Sequence, residues 1–136
     1  MKEKIRVGIV GSKFAADFHA DSYTRNPRVA IAAVAAIDNL EPFAEKWNIP
    51  RTYADYKDML AREELDLVSI CAPNFLHHDI AVAAARAGKH VFCEKPLATT
   101  AADAQETART QRQQIQIRGF IFTLLREADH PSTCGL

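Results

Sequence analysis

Residues 67–96 read LVSICAPNFLHHDIAVAAARAGKHVFCEKP. Leu67–Ala72 is a short apolar run of strand character. It is stopped by Pro73, which has no N–H for a sheet ladder, and by the turn former Asn74. Asp79–Ala87 has helical spacing and halts at Gly88, the residue type that accepts the left-handed position after a helix. His90–Cys93 is a second apolar run. Two strands separated by a helix cannot make a hairpin; they lie parallel, joined by a right-handed crossover.

The same alternation continues outward in both directions. Toward the N-terminus, Ile5–Val10 is a compact strand, and Phe14–Arg25 has approximate helical spacing at Phe14, Phe18 and Tyr23. Val29–Ile37 is an apolar run continuous enough for a strand buried on both faces. Asn39 is placed to cap a helix through about Trp47, with Pro42 tolerated in its first turn. Thr52–Tyr53 is a brief strand, followed by a helix from Asp55 to about Arg62. Toward the C-terminus, Thr100–Asp103 resembles a capping box that opens a helix to about Thr110. Connections too long for hairpins argue for α/β architecture, a doubly wound parallel sheet covered by helices.

A chain of 136 residues is about one domain on a scale of roughly 100–200 residues each. With 48% apolar and 25% charged residues it can build one core. Lys plus Arg and Asp plus Glu are 17 each, so there is no electrostatic footprint for nucleic acid or an anionic membrane. Cys71, Cys93 and Cys134 form no CxxC pair and read as free thiols of a reducing compartment, hence a cytoplasmic location. The apolar run after MKEKIR is cut by glycines, unlike a signal peptide, and no apolar stretch is long enough to span a bilayer.

Three segments can carry chemistry. In RVGIVGSKFAADFHA, residues 6–20, a strand runs into a glycine turn and then a helix, whose N-terminal N–H groups and dipole favour pyrophosphate. Against GxGxxG/A the positions are Gly11, Lys13 and Ala16, so the middle glycine is replaced. Lys13 either adds charge or blocks close approach. A carboxylate is expected about 20 residues further on. Ala36 holds the position directly after the strand, and Asp38 is the first acid. Asp38 is either a ribose ligand or a solvated turn residue, and NAD against NADP stays open.

In CAPNFLHHD, residues 71–79, adjacent helical residues point about 100° apart, so His77 and His78 cannot chelate one metal through a shared face. No spaced ligand set supports a metal site. His77 is either a ligand contact or a surface histidine. The third segment, HVFCEKP, ends a strand on Glu94-Lys95-Pro96. Ligands of open parallel sheets bind outside the carboxyl ends of the strands. Gly11, Asn74 and Lys95 all follow strands and so share that edge. An amine partly desolvated there exchanges protons near neutral pH, and alcohol oxidation by a nicotinamide needs such a group.

From about Arg6 to about Thr110 the chain resembles the N-terminal half of the Gfo/Idh/MocA (glucose–fructose oxidoreductase / inositol dehydrogenase) family. VGIVGSKFAADFHA and DLVSICAPNFLHHDIAVAAARAGKHVFCEKPLA carry the resemblance. It implies a Rossmann-like domain over residues 1–122, with NAD or NADP as cofactor and a sugar, cyclitol or related polyol as substrate. It also implies the site residues. Gly11, Ser12, Lys13, Phe14 and Ala15 would cradle the dinucleotide, with Asp38 at its adenosine end. Ala72, Pro73, Asn74 and His77 would border the nicotinamide side, Glu94 would lie beside the cofactor, and Lys95 would be the catalytic lysine.

Family members continue into a second domain that holds substrate, supplies an Asp and a His, and usually forms the oligomer interface. Residues 115–122, IQIRGFIF, have the character of a sixth strand, and 123–136 that of a disordered tail. The expectation is a truncated cofactor domain with little activity alone, forming a homo-oligomer when completed. The alternative is a stand-alone dinucleotide-binding module without catalysis. Replacing Gly11 by Val is expected to weaken dinucleotide binding with the fold intact.

Overall fold

The computed structural model describes residues 3–96 and 98–114. Five parallel strands, β1 (Ile5–Val10), β2 (Val29–Ala35), β3 (Arg51–Tyr53), β4 (Leu67–Ile70) and β5 (His90–Cys93), lie in the order β3-β2-β1-β4-β5. The helices are α1 (Phe14–Thr24), α2 (Leu40–Lys46), α3 (Tyr56–Arg62), α4 (His77–Arg86) and α5 (Ala101–Gln114), with a 3₁₀ turn at Asn74–Leu76. The doubly wound α/β expectation holds. The progression from β1 to β2 and β3 runs one way and that to β4 and β5 the other. The reversal falls between β1 and β4, where Val7 faces Leu67 and Val10 faces Ile70.

Alternate residues of these strands feed two cores. Val7, Ile9 and Val34 pack on one face with Ala16 and Ala20 of α1 and with Phe43 and Ala44 of α2. Val10, Ala33, Ala35, Val68, Ile70 and Val91 pack on the other, against Met59, Ile80, Ala81 and Ala84 from α3 and α4. Helix α1 thus buries its small residues, while Phe14 and Phe18 are exposed and stack edge-to-face at 4.7 Å.

The boundaries differ in instructive places. β2 ends at Ala35, because β3 pairs only with Ala33–Ala35, and Ile37 beyond it is 89% exposed. Asn39 precedes α2 but adopts φ +53° and makes no side-chain cap. β4 stops at Ile70 rather than Ala72, and α4 begins at His77 rather than Asp79. α4 ends as expected, with Gly88 at φ +76°; the Gly88 and Lys89 N–H groups donate to Ala85 and Ala84 carbonyls. Thr100 Oγ1 accepts from the Asp103 N–H at 3.1 Å, and α5 continues to Gln114. The expected sixth strand, the 122/123 boundary and the tail lie outside the described residues.

Candidate functional site

Four loops leave the carboxyl ends of β1, β2, β4 and β5, and backbone hydrogen bonds extend the sheet into them. The Gly11 N–H donates to Ala35 O at 2.8 Å, Cys71 N–H to Val10 O at 2.8 Å and Glu94 N–H to Ile70 O at 2.9 Å. Gly11 is required on two counts. Its φ is +114°, and a Cβ there would lie 2.5 Å from the Cys71 carbonyl oxygen. The loops after β1 and β4 therefore touch at the point where strand order reverses.

The glycine loop is stitched to the loop after β2. Buried Ser12 donates its hydroxyl to Asp38 O at 2.5 Å, and the Asn39 side-chain amide donates to Ser12 O at 3.0 Å. Lys13 Nζ lies 3.1 Å from Asp38 Oδ2, both side chains exposed. Lys13 precedes α1 without a side-chain cap, so no side chain at that position takes up the helix's first N–H groups. The acid in the first turn, Asp17, is held below its usual range by the Lys46 hydrogen bond, with Trp47 Nε1–H adding to it. Phe14, Ile37 and Phe75, in or beside the loops after β1, β2 and β4, are the exposed aromatic and aliphatic surface of this edge.

His77 is buried, its Nδ1 2.6 Å from Pro96 O and its Nε2 2.7 Å from Ala72 O, so it bridges the loops after β4 and β5. Pro73 and Asn74 lead the 3₁₀ turn before it. His78 turns instead toward α5, with Nδ1 at 2.9 Å from Thr107 Oγ1 and 3.1 Å from Asp103 O. His78, Asp103 and Glu106 bring one ligand-type atom each within 4.8 Å, but the His78 Nδ1 is already engaged by this tie between α4 and α5.

Glu94 ends a buried polar chain that sequence reasoning missed. His19 of α1 places Nε2 2.6 Å from Glu94 Oε1 and Nδ1 2.5 Å from Ser69 Oγ, and the Tyr23 hydroxyl donates to Ser69 Oγ at 2.9 Å. The two ring nitrogens of His19 are thus both engaged, Nδ1 by the Ser69 hydroxyl and Nε2 by the Glu94 carboxylate. Burial raises the Tyr23 pKa, consistent with a hydroxyl that keeps its proton. Phe92 packs on the His19 ring at 5.0 Å. The sequence carries no local signal for this polar chain, because Ser69 and Glu94 lie 50 and 75 residues from His19.

Lys95 is exposed, so partial desolvation is not supplied by the described residues and has to come from what covers the edge. The Lys95–Pro96 peptide is cis. The neighbouring thiols are not nucleophiles: burial, with the Glu94 charge adding, pushes Cys71 far up and Cys93 up to about 12.

A positive-φ glycine before an uncapped helix start, a carboxylate beyond the second strand and exposed ring-sized apolar surface together fit a dinucleotide. Residues 5–119 match GFO_IDH_MocA, described as an oxidoreductase family with an NAD-binding Rossmann fold. The chain is 35% identical over 121 residues to D-glucoside 3-dehydrogenase of Escherichia coli (strain K12), covering 87% of this chain and 34% of that protein. Among solved structures it is similar to an NAD binding oxidoreductase from Klebsiella pneumoniae, with 37% identity and a TM-score of 0.77, covering 82% of this chain and 32% of the other. It is also similar to a biliverdin reductase from Synechocystis sp. PCC 6803 in complex with biliverdin and NADP+, with 34% identity and a TM-score of 0.77, covering 81% and 35%. The chain spans about a third of the length of these proteins. By its matched residues and its strand order, the chain belongs to the Gfo/Idh/MocA oxidoreductase family, as that family's NAD-binding Rossmann-fold domain.

Proposed function

We propose that this chain binds NAD or NADP along the carboxyl edge of its sheet and serves hydride transfer to or from a sugar, cyclitol or related polyol. The observation that carries the reading is the convergence of the Gly11 turn, the start of α1, Asp38 and Glu94-Lys95 on one edge. The first-turn N–H groups of α1 and the Ser12–Lys13 backbone would hold the pyrophosphate, and Asp38 the adenosine ribose. Pro73, Asn74 and Phe75 would border the rings, while His77 fixes the loop that carries them. When bound, the nicotinamide accepts or donates the hydride. Lys95 Nζ would exchange the substrate hydroxyl proton, and Glu94, steadied by His19, would set the position of that loop.

A second, substrate-holding unit would complete the site and form a homo-oligomer contact, and the protein would work in the cytoplasm, where its free thiols fit. No helix among the described residues is long and apolar enough to cross a membrane. The test is a titration of NADH or NADPH fluorescence with the purified chain, followed by displacement with ADP-ribose. Saturable, displaceable binding is expected; a chain folded by circular dichroism that binds neither would sink the proposal. The stand-alone module predicts the same binding and parts from this reading only on turnover.

A further inference from the structure

We infer that His78, Asp103 and Glu106 form a binding site for one zinc-class divalent cation, which ties α4 to α5. The inference stands apart from the dinucleotide reading above. Asp103 and Glu106 occupy positions i and i+3 of α5 and share a face of it, while His78 lies in the first turn of α4. Their ligand-type atoms lie within 4.8 Å of one another, and all three residues are partly buried. Two carboxylates this close repel unless a cation lies between them. Among the described residues neither is paired with a lysine or arginine.

The ring of His78 decides which ion fits. Its Nδ1 meets the Asp103 carbonyl at 3.1 Å and Thr107 Oγ1 at 2.9 Å, and the Thr107 hydroxyl gives its own hydrogen to Asp103 O. Both partners therefore only accept, so Nδ1 carries the hydrogen and the neutral ring keeps its lone pair on Nε2. The bond that engages Nδ1 thus leaves the other nitrogen as the ligand, the arrangement in which metal-bound histidines are held. Nε2 stands 3.4 Å from Glu106 Oε2. That is long for a charge-assisted hydrogen bond, about 2.7–2.9 Å. It is the spacing of two ligands on one ion, since zinc bonds of about 2.0–2.2 Å at a tetrahedral angle set their ends about 3.3–3.5 Å apart. Asp103 supplies a third corner by a side-chain rotation, and water takes the fourth. One imidazole with two carboxylates selects zinc-like ions over magnesium and calcium, which favour oxygen alone. The ion would clamp the start of α5 to α4 one residue from His77, whose bond to Pro96 O holds the Lys95 loop.

The test is isothermal titration of Zn²⁺ into the full chain, stripped with a chelator and kept reduced, alongside Glu106→Gln, Asp103→Asn and His78→Gln. The carboxamide variants keep the shape of the side chains, and circular dichroism checks each fold. The unmodified chain is expected to take up one equivalent of Zn²⁺, to melt at a higher temperature with it, and to be indifferent to excess Mg²⁺. Each variant should weaken that binding at least about tenfold and lose the rise in melting temperature. Should His78→Gln fail to fold, the two carboxamide variants carry the result. Absence of stoichiometric binding in the unmodified chain overturns the inference and leaves His78 and Glu106 as an ordinary ion pair. Zinc binding that survives both Glu106→Gln and Asp103→Asn also overturns it, because the ion is then held elsewhere. Equal competition by Mg²⁺ overturns the zinc-class assignment.

Discussion

His19 holds the Glu-Lys-Pro loop to the first helix through a bond to Glu94, and Ser69 to the same ring through the other nitrogen. Removing the ring strands a buried hydroxyl and leaves a void beside Phe92. His19→Ala should therefore lower stability by about 2–4 kcal/mol, read as an earlier midpoint in urea denaturation. An unchanged midpoint would show the network to be energetically idle. None of this was legible in the sequence, because Ser69 and Glu94 lie 50 and 75 residues from His19 and meet it only across the folded sheet. Gly11, by contrast, was legible: local spacing alone placed it in the turn after β1. Asn39 shows the limit of residue-type rules. Its composition suggests a cap, yet its amide is drawn to Ser12 O and its backbone turns left-handed.

At the scale of elements, two glycine turns make a contrast. Gly88 ends α4 with nothing within 4 Å of a hypothetical Cβ, so only its left-handed φ resists substitution. Gly11 is left-handed and also pressed against the Cys71 carbonyl, which belongs to the loop after β4. Gly88→Ala should cost about 1 kcal/mol. Gly11→Val should cost several times that, about 2–4 kcal/mol, because backbone must shift as well. Thermal melts of the two variants side by side check this, and equal losses would contradict it. A loss of that size leaves a domain of ordinary stability folded, but the shifted Cys71 backbone makes the melt a necessary companion to any binding measurement on Gly11→Val. Strand and helix order were readable from periodicity. The ends were not, since β2 stops where its partner β3 stops and α4 starts where the 3₁₀ turn hands over to it.

For the whole molecule, one sheet with two cores accounts for a cofactor domain and leaves Lys95 open to solvent. Hydride transfer needs the alcohol held against the nicotinamide, and such positioning accounts for roughly 7–11 kcal/mol of barrier. The purified chain, given NAD or NADP and a panel of sugars and inositols, should therefore show no substrate-dependent rise in reduced-cofactor absorbance. Combined with a substrate-holding unit that restores turnover, Lys95→Ala should lower the rate by roughly 10²–10⁴-fold. Turnover by the chain alone, lost on Lys95→Ala, would overturn the need for a second unit. The parallel architecture was readable because strands and helices alternate. Substrate choice was not, because Lys95, the side chain proposed to meet the substrate hydroxyl, lies exposed and has no shape that would select among hydroxyls.

The position of β1 between β2 and β4 also has a consequence for how the chain comes together during synthesis. The middle strand of the finished sheet emerges first. One of its edges can be matched as soon as residues 29–35 are available, but the other must wait for residues 67–70. Throughout that interval an apolar strand shows unpaired backbone along one side, the arrangement most open to wrong partners. The topology that reverses strand order between β1 and β4 thus makes that edge one of the last parts of the strand to be protected, and it concentrates the risk of misassembly in the nascent chain there.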